Sequence, residues 1–300
     1  MTADSSPLGR LDRALASLRG LAVGDALGSQ FFVPANRPLL KRRELPPGTW
    51  QWTDDTEMAC SVVAVLAAHH RIDQDALARS FAAHHDFDRG YGPAVNRLLR
   101  LVREGHDWRE LAAGLFDGQG SWGNGAAMRI APLGAWYADD PEQAIHQAEI
   151  SAYTTHQHRE AAAGAMAVAA AAALAAAPGG PPGPVALLDG VVALVPKSAV
   201  GSGLRRARDM LDYGDADTVA AVLGCGRHTS AHDTAPFALW SAARALGDYE
   251  TAFWTTAEVG GDVDTTCAIV GGVLAAGKAG TPPSEWLERA ETLPDWVAAA

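Results

Sequence analysis

The sequence predicts an all-α protein, a compact single-domain orthogonal helical bundle over residues 1–300, and three observations carry that prediction. Apolar residues recur at spacings of three and four through most of the chain, the mark of helices with one buried face. No run alternates with a period of two, so strands are not expected. Two segments, Met58–Ala68 and Cys267–Ala276, are apolar on nearly every face and as helices must be buried. A hydrophobic content of 48% is ample for one core, and no mid-chain stretch has the composition of a linker.

The first helix is expected over Leu11–Leu27. It ends in Gly24-Asp25-Ala26-Leu27-Gly28, whose glycines suit a C-terminal stop. Asp12, Arg13 and Arg19, with the polar start around Ser6-Pro7-Leu8, do not fit a secretory leader. Ser29–Pro34 reads as an aromatic loop around Phe31 and Phe32. Helical spacing continues over Gln74–His84, Gly92–Arg103, Trp108–Leu115 and Pro141–Tyr153. Ala161–Ala177 is mostly alanine, a strong helix former but too weakly hydrophobic for a membrane span. It reads as a core helix whose small side chains admit close neighbours. The breaker loop Pro178–Pro184 ends it. Helices over Val185–Val195, Leu204–Leu211, Ala216–Leu223, Thr234–Leu246 and Pro283–Thr292 complete the chain.

Charge and cysteine usage narrow the function. The net charge of −11 disfavours a general nucleic-acid surface or an anionic membrane as partner. A phosphate-bearing substrate must then be held by local devices such as metals, helix N-termini or a single arginine. Cys60, Cys225 and Cys267 are odd in number and far apart, which suits small core residues in a reducing, cytoplasmic setting.

The chemistry concentrates where the two buried segments begin. Thr53-Asp54-Asp55-Thr56-Glu57 opens the first and Gly260-Gly261-Asp262-Val263-Asp264-Thr265-Thr266 the second. Asp and Thr are good N-caps, but a cap needs one such residue. Several carboxylates beside a buried segment repel one another and lose hydration unless a cation offsets both costs. The ligand atoms are hard oxygens with no His or Cys, which suits Mg²⁺, Mn²⁺ or Ca²⁺ and argues against zinc or copper. Four carboxylates exceed the needs of one ion, so a two-metal site is the natural reading.

Other motifs carry less. Ser121-Trp122-Gly123-Asn124-Gly125 reads as a glycine-rich loop feeding a helix, whose N–H groups could hold a diphosphate. His84 and His85 have no third nitrogen ligand at helical spacing, while Asp88 precedes a glycine turn that could face a pocket. His156 has a capping or core role as its bland alternative, Asp25 either orients the metal-site loops or simply caps, and Gly224–Ser230 is a further glycine-rich turn.

Together these motifs resemble the ADP-ribosylglycohydrolase family, the all-helical group related to dinitrogenase-reductase-activating glycohydrolase. The matching stretches are Gly24–Gly28, Trp52–Met58, Ser121–Arg129, Ala131–Gly134, Thr155-His156 and Gly260–Thr266, in the family's order. The resemblance implies an ADP-ribosylglycohydrolase-type bundle. It implies two divalent cations, magnesium or manganese first and calcium also compatible, on Thr53, Asp54, Asp55, Asp262, Asp264 and Thr265. It implies too that Ser121, Gly123, Asn124, Gly125 and His156 line an ADP-ribose pocket. Several family members carry a glutamate four residues after the glycine ending Gly-Asp-Ala-Leu-Gly, and here that position is Phe32. The corresponding duty in the nitrogenase-regulating branch resembles that of Asp88, which would then both contact substrate and act as base.

The expected activity is hydrolysis of the glycosidic bond at C1″ of the distal ribose in an ADP-ribosylated protein or small molecule. Asp88, or a cluster carboxylate such as Asp55 or Asp264, would take the proton. The rival readings are a two-metal phosphohydrolase acting on ADP-ribose-like nucleotides and a non-catalytic ADP-ribose binder. The protein is expected to be a monomer with no membrane partner.

Overall fold

Local chemistry sets most of the helix boundaries. In the computed structural model, which describes residues 7–277 and 280–297, Asp73, Asp107, Asp140, Asp215 and Asp248 each accept a hydrogen bond from a first-turn N–H of the helix they precede. The stretch Met1–Ser6, part of the polar start noted above, lies outside the described residues. In the first half the helices are α1 (Pro7–Ser29), α2 (Arg37–Arg42), α3 (Asp54–His69), α4 (Gln74–His84), α5 (Pro93–Arg103), α6 (Trp108–Ala113), α7 (Gly125–Met128), α8 (Ala131–Trp136) and α9 (Pro141–Ala152). The second half holds α10 (Arg159–Ala175), α11 (Pro184–Leu194), α12 (Ala199–Asp209), α13 (Ala216–Leu223), α14 (Ala231–Arg244), α15 (Tyr249–Ala257), α16 (Val263–Ala276) and α17 (Ser284–Arg289). Among the described residues there is no strand, only isolated bridges pairing Trp50 with Ala290 and Gly123 with Ser230. The fold is all-α.

Helix α1 departs from expectation. It runs through the glycines whose placement suggests a stop, and their role is lateral instead. Gly20, Gly24 and Gly28 lie four residues apart, so they share one face, and that face meets α16. A Cβ on Gly24 would lie 2.2 Å from the Cys267 carbonyl oxygen, and one on Gly28 would lie 2.9 Å from Asp264 Cα. Close approach of the two backbones brings Asp25 of α1 beside Asp264 of α16.

Helix α10 is buried along nearly its whole length. Its alanines let α8 press in until a Cβ on Gly134 would be 2.2 Å from the Ala169 carbonyl oxygen. The unanticipated helices have local reasons to escape notice. α8 carries a proline in its first turn and contains a glycine, and α15 is buried on most faces and so shows no amphipathic stripe. Pro236 sits inside α14, where the Gly203 face of α12 packs on its ring. No described helix is long and apolar enough to cross a membrane.

Gly24→Ala tests the α1–α16 contact. It is expected to cost about 3 kcal/mol through overpacking against a backbone that cannot retreat. Gly179→Ala, where a Cβ meets nothing within 4 Å, serves as control. Denaturation midpoints that are equal for the two variants would contradict the contact.

Candidate active site

Asp25 organises the first cluster. It is fully buried, and its Oδ2 accepts hydrogen bonds from Thr53 N at 2.9 Å, Thr56 N at 3.1 Å and Thr56 Oγ1 at 2.5 Å. Its Oδ1 accepts from Thr53 Oγ1 at 2.8 Å. A carboxylate of α1 thus fixes the entry into α3. Thr53 caps α3 only loosely, with Asp55 N 3.5 Å from its hydroxyl.

Capping does not occupy the other aspartates. Asp262 is the N-cap of α16, yet its side chain makes no cap bond, and its Oδ2 accepts from Asn124 Nδ2 at 2.7 Å instead. Asp264 Oδ1 accepts from Thr265 N at 2.8 Å. Asp55 Oδ1 is buried with no hydrogen-bond partner among the described residues. One carboxylate oxygen from each of Asp25, Asp55 and Asp264 falls within 4.8 Å of the others.

Such crowding is reflected in the acidities. Burial, then repulsion from Asp25, Asp262 and Glu57, pushes Asp54 up to about 8. Burial pushes Asp25 up to about 6 against the hydrogen bonds from Thr56 and Thr53. Asp55 and Asp264 are driven well above the usual carboxylate range by burial and by their acidic neighbours. Asp262 is raised by burial, opposed chiefly by the Asn124 hydrogen bond. An all-oxygen donor set, mutual repulsion and an orphaned Asp55 Oδ1 fit a hard divalent cation.

The cluster opens into a cleft of about 480 Å³. Asp54, Asp55, Asp262, Asp264, Thr265, Ser121, Gly123, Asn124, Gly125 and His156 all line it. Phe116 and Trp122 line it too while staying more than half exposed, which places them at the rim. The loop Gly224–Ser230 ties the walls together. Asn124 N donates to Thr229 O, Ala231 N to Trp122 O and Asp262 N to Cys225 O, each at 3.0 Å. Gly226 is required there, since a Cβ on it would meet Asp262 Cβ at 2.4 Å. A separate hollow of about 570 Å³ behind this loop contains none of the cluster aspartates.

Two expected residues, and Phe32 at the position of the family's glutamate, stand elsewhere. Asp88 is exposed on the 3-10 turn Phe87–Arg89 and does not line the cleft, although Gly90 of the same loop does. Phe32 is exposed and also outside the lining. Thr53 donates its one hydroxyl proton to Asp25 Oδ1 at 2.8 Å, with Asp55 Oδ2 a longer 3.2 Å away, and it is not among the residues lining the cleft.

The glycine loop needs a different explanation from a helix-dipole anion site, because α7 has only four residues. A Cβ on Gly123 or Gly125 would lie 3.2 Å or 2.9 Å from His156 Nε2, so the glycines make room for the imidazole. Asp25 is the cluster member that motif spacing leaves ambiguous. Its signal is a carboxylate inside an otherwise apolar helix segment. Arg129, fully buried behind His156, leaves no comparable mark.

A family model described as ADP-ribosylglycohydrolase matches residues 6–300. ADP-ribosylhydrolase ARH3 of Gallus gallus is 34% identical over 163 residues, 46% of this chain and 43% of that protein. The match therefore spans less than half the length of that relative. ADP-ribosylarginine hydrolase Tri1 of Pseudomonas putida (strain GB-1) is 26% identical over 306 residues, 95% of this chain and 76% of that protein. A solved structure titled ADP-ribosylglycohydrolase-related protein complex superposes with a TM-score of 0.60 and 30% identity, covering 94% of this chain and 93% of that one.

The raised acidities predict how stability depends on pH. A carboxylate whose folded pKa exceeds its unfolded value stabilises the fold below the unfolded value and loses that contribution as pH rises. For Asp25 and Asp54 the window runs from their ordinary 3.8 to about 6 and about 8 respectively. Chelator-treated protein should therefore melt progressively lower between pH 4 and pH 8, in the region of ~4–8 set by these groups. Saturating Mg²⁺ or Mn²⁺ should largely abolish that decline, because the ion favours the charged forms. A decline unaltered by either metal would contradict the cation reading.

Proposed function

The chain belongs to the ADP-ribosylglycohydrolase family, and from that premise we propose that it is a divalent-metal-dependent hydrolase releasing ADP-ribose from an ADP-ribosylated substrate. The bond cut is the glycosidic bond at C1″ of the distal ribose. The observation that carries this reading is the convergence of Asp54, Asp55, Asp262 and Asp264 on one cleft, with Asp25 beneath and Asp55 Oδ1 unsatisfied.

Glycoside cleavage passes through an oxocarbenium-like state, so the sugar must be fixed and a water deprotonated beside it. Magnesium or manganese held by Asp54, Asp55, Asp262, Asp264 and Thr265, with Thr53 supporting, would supply Lewis-acid activation and offset the cluster's charge. Asn124 braces Asp262, and His156 presents a ring edge where the glycine loop leaves space, which suits the polar body of ADP-ribose. Phe116 and Trp122 offer exposed aromatic faces at the rim for a nucleobase. Lining of the cleft by Asp55 and Asp264, with Asp88 outside it, favours one of the two cluster carboxylates over Asp88 as the proton acceptor.

A turnover screen of arginine-, serine- and nucleic-acid-linked ADP-ribose with Mg²⁺ or Mn²⁺ tests the proposal. ADP-ribose is the expected product. AMP would mark a phosphohydrolase, and tight binding without turnover a binder. Asp55→Asn is expected to lower kcat by about 10²- to 10⁴-fold, the usual range for an acid/base group. Asp88→Asn should change kcat little. The opposite ranking would return the base to Asp88.

A further inference from the structure

Arg129 is a buried cation with no anionic partner. It is 0% exposed, and among the described residues no carboxylate pairs with it. Leaving a guanidinium unpaired in a core is costly, and an apolar residue of similar volume would avoid the expense. Its Nη1 donates to Thr155 Oγ1 at 2.9 Å, and Nη2 to Ser151 O at 2.9 Å and, more weakly, to Thr154 Oγ1 at 3.4 Å. Met58 Sδ lies 3.7 Å from Nη1, and the Phe81 ring centroid 4.6 Å from the guanidinium carbon. These contacts anchor one end of the group at the C-terminus of α9. The other end meets a hydroxyl whose next neighbour is a cleft residue.

That hydroxyl lies 2.7 Å from His156 Nδ1. A threonine hydroxyl has one proton, and a guanidinium can only donate. Thr155 Oγ1 receives Arg129 Nη1, so its own proton goes to its remaining partner, His156 Nδ1. Were Nδ1 protonated, the Thr155 proton would have no acceptor among the described groups. Nδ1 is therefore the acceptor and Nε2 carries the ring proton. Nε2 is the nitrogen on the side of Gly123 and Gly125, in the cleft.

We infer that Arg129, acting through Thr155, is a positioning residue that holds His156 as the neutral Nε2–H tautomer, a fixed donor aimed into the cleft. Burial, with Arg129 nearby, drives the His156 pKa down to about 3, which keeps the ring neutral at ordinary pH. The relay decides which neutral form is present. The donor matches an acceptor oxygen of the ligand, such as a phosphate or ribose oxygen. Only this consequence for affinity rests on the functional reading above; the tautomer itself does not.

Side-chain ¹⁵N NMR of histidine-labelled, ligand-free protein reads the tautomer, with the His156 signals assigned by their loss in His156→Gln. The expected result is Nε2–H in the parent and in Thr155→Ser, and a mixed or Nδ1–H form in Thr155→Val. Arg129→Lys, which keeps a donor but not its fork, should give an intermediate shift if it folds. Affinity for ADP-ribose, measured by calorimetry, should fall roughly tenfold in Thr155→Val and recover in Thr155→Ser. Nδ1–H in the parent, or an unchanged tautomer in Thr155→Val, would overturn the inference. Parent protein that shows Nε2–H but binds no ADP-ribose would count against the functional reading and leave the relay standing.

Discussion

Mutual repulsion among buried and half-buried aspartates is the constraint on which the rest of this structure depends. Asp25, Asp54, Asp55, Asp262 and Asp264 come from α1 and from the starts of α3 and α16, and burial opposes the charge on each. Elsewhere in the chain aspartates at helix starts cap backbone N–H groups, as Asp73 and Asp140 do. At the start of α16 the N-cap Asp262 turns its side chain to Asn124 instead, and among the described residues one oxygen of Asp55 has no partner. A fold that needed only capped helices would not retain this arrangement.

Much of the surrounding architecture serves to hold the carboxylates close. The glycine face of α1 allows α16 to approach at backbone distance, which sets Asp25 against Asp264. The loop Gly224–Ser230 locks the Asp262 turn and the Asn124 loop to each other through main-chain hydrogen bonds. The exposed loop leading to Gly90 is fastened through Glu57, which accepts from Tyr91 Oη at 2.6 Å and from Asp86 N at 3.1 Å. Arg89 adds a bidentate pair with Glu291 and stacks 3.5 Å over Trp52, tying the C-terminal segment to the entry of α3. Rigidity around the cleft therefore arises from side chains of several distant segments.

The fold class was legible because helical spacing and two all-apolar segments are local signals. So was the approach of the Asp54–Asp55 and Asp262–Thr265 stretches to one cleft, without Thr53, since repeated carboxylates at buried helix starts demand a common explanation. Helix α8 and the true end of α1 were not legible. Glycine and proline read as breakers locally, while Gly24, Gly28 and Gly134 owe their identity to a second helix far off in sequence. The same holds for Gly123 and Gly125, whose partner is the His156 ring rather than a helix-terminal anion site. Asp88 stood out by its glycine turn, but exposure is a tertiary property, and Asp88 itself is exposed outside the cleft lining although Gly90 of that turn lines it.

The central claim is that the carboxylate cluster is completed by cations that displace protons from it. Titrating Mg²⁺ or Mn²⁺ into metal-free protein near pH 7, in buffers of differing ionisation enthalpy, measures that exchange by calorimetry. With Asp54 raised to about 8 and Asp55 and Asp264 raised well above the usual range, the account predicts binding accompanied by net proton release into the buffer. Binding heats independent of the buffer, or no binding by either metal, would contradict it.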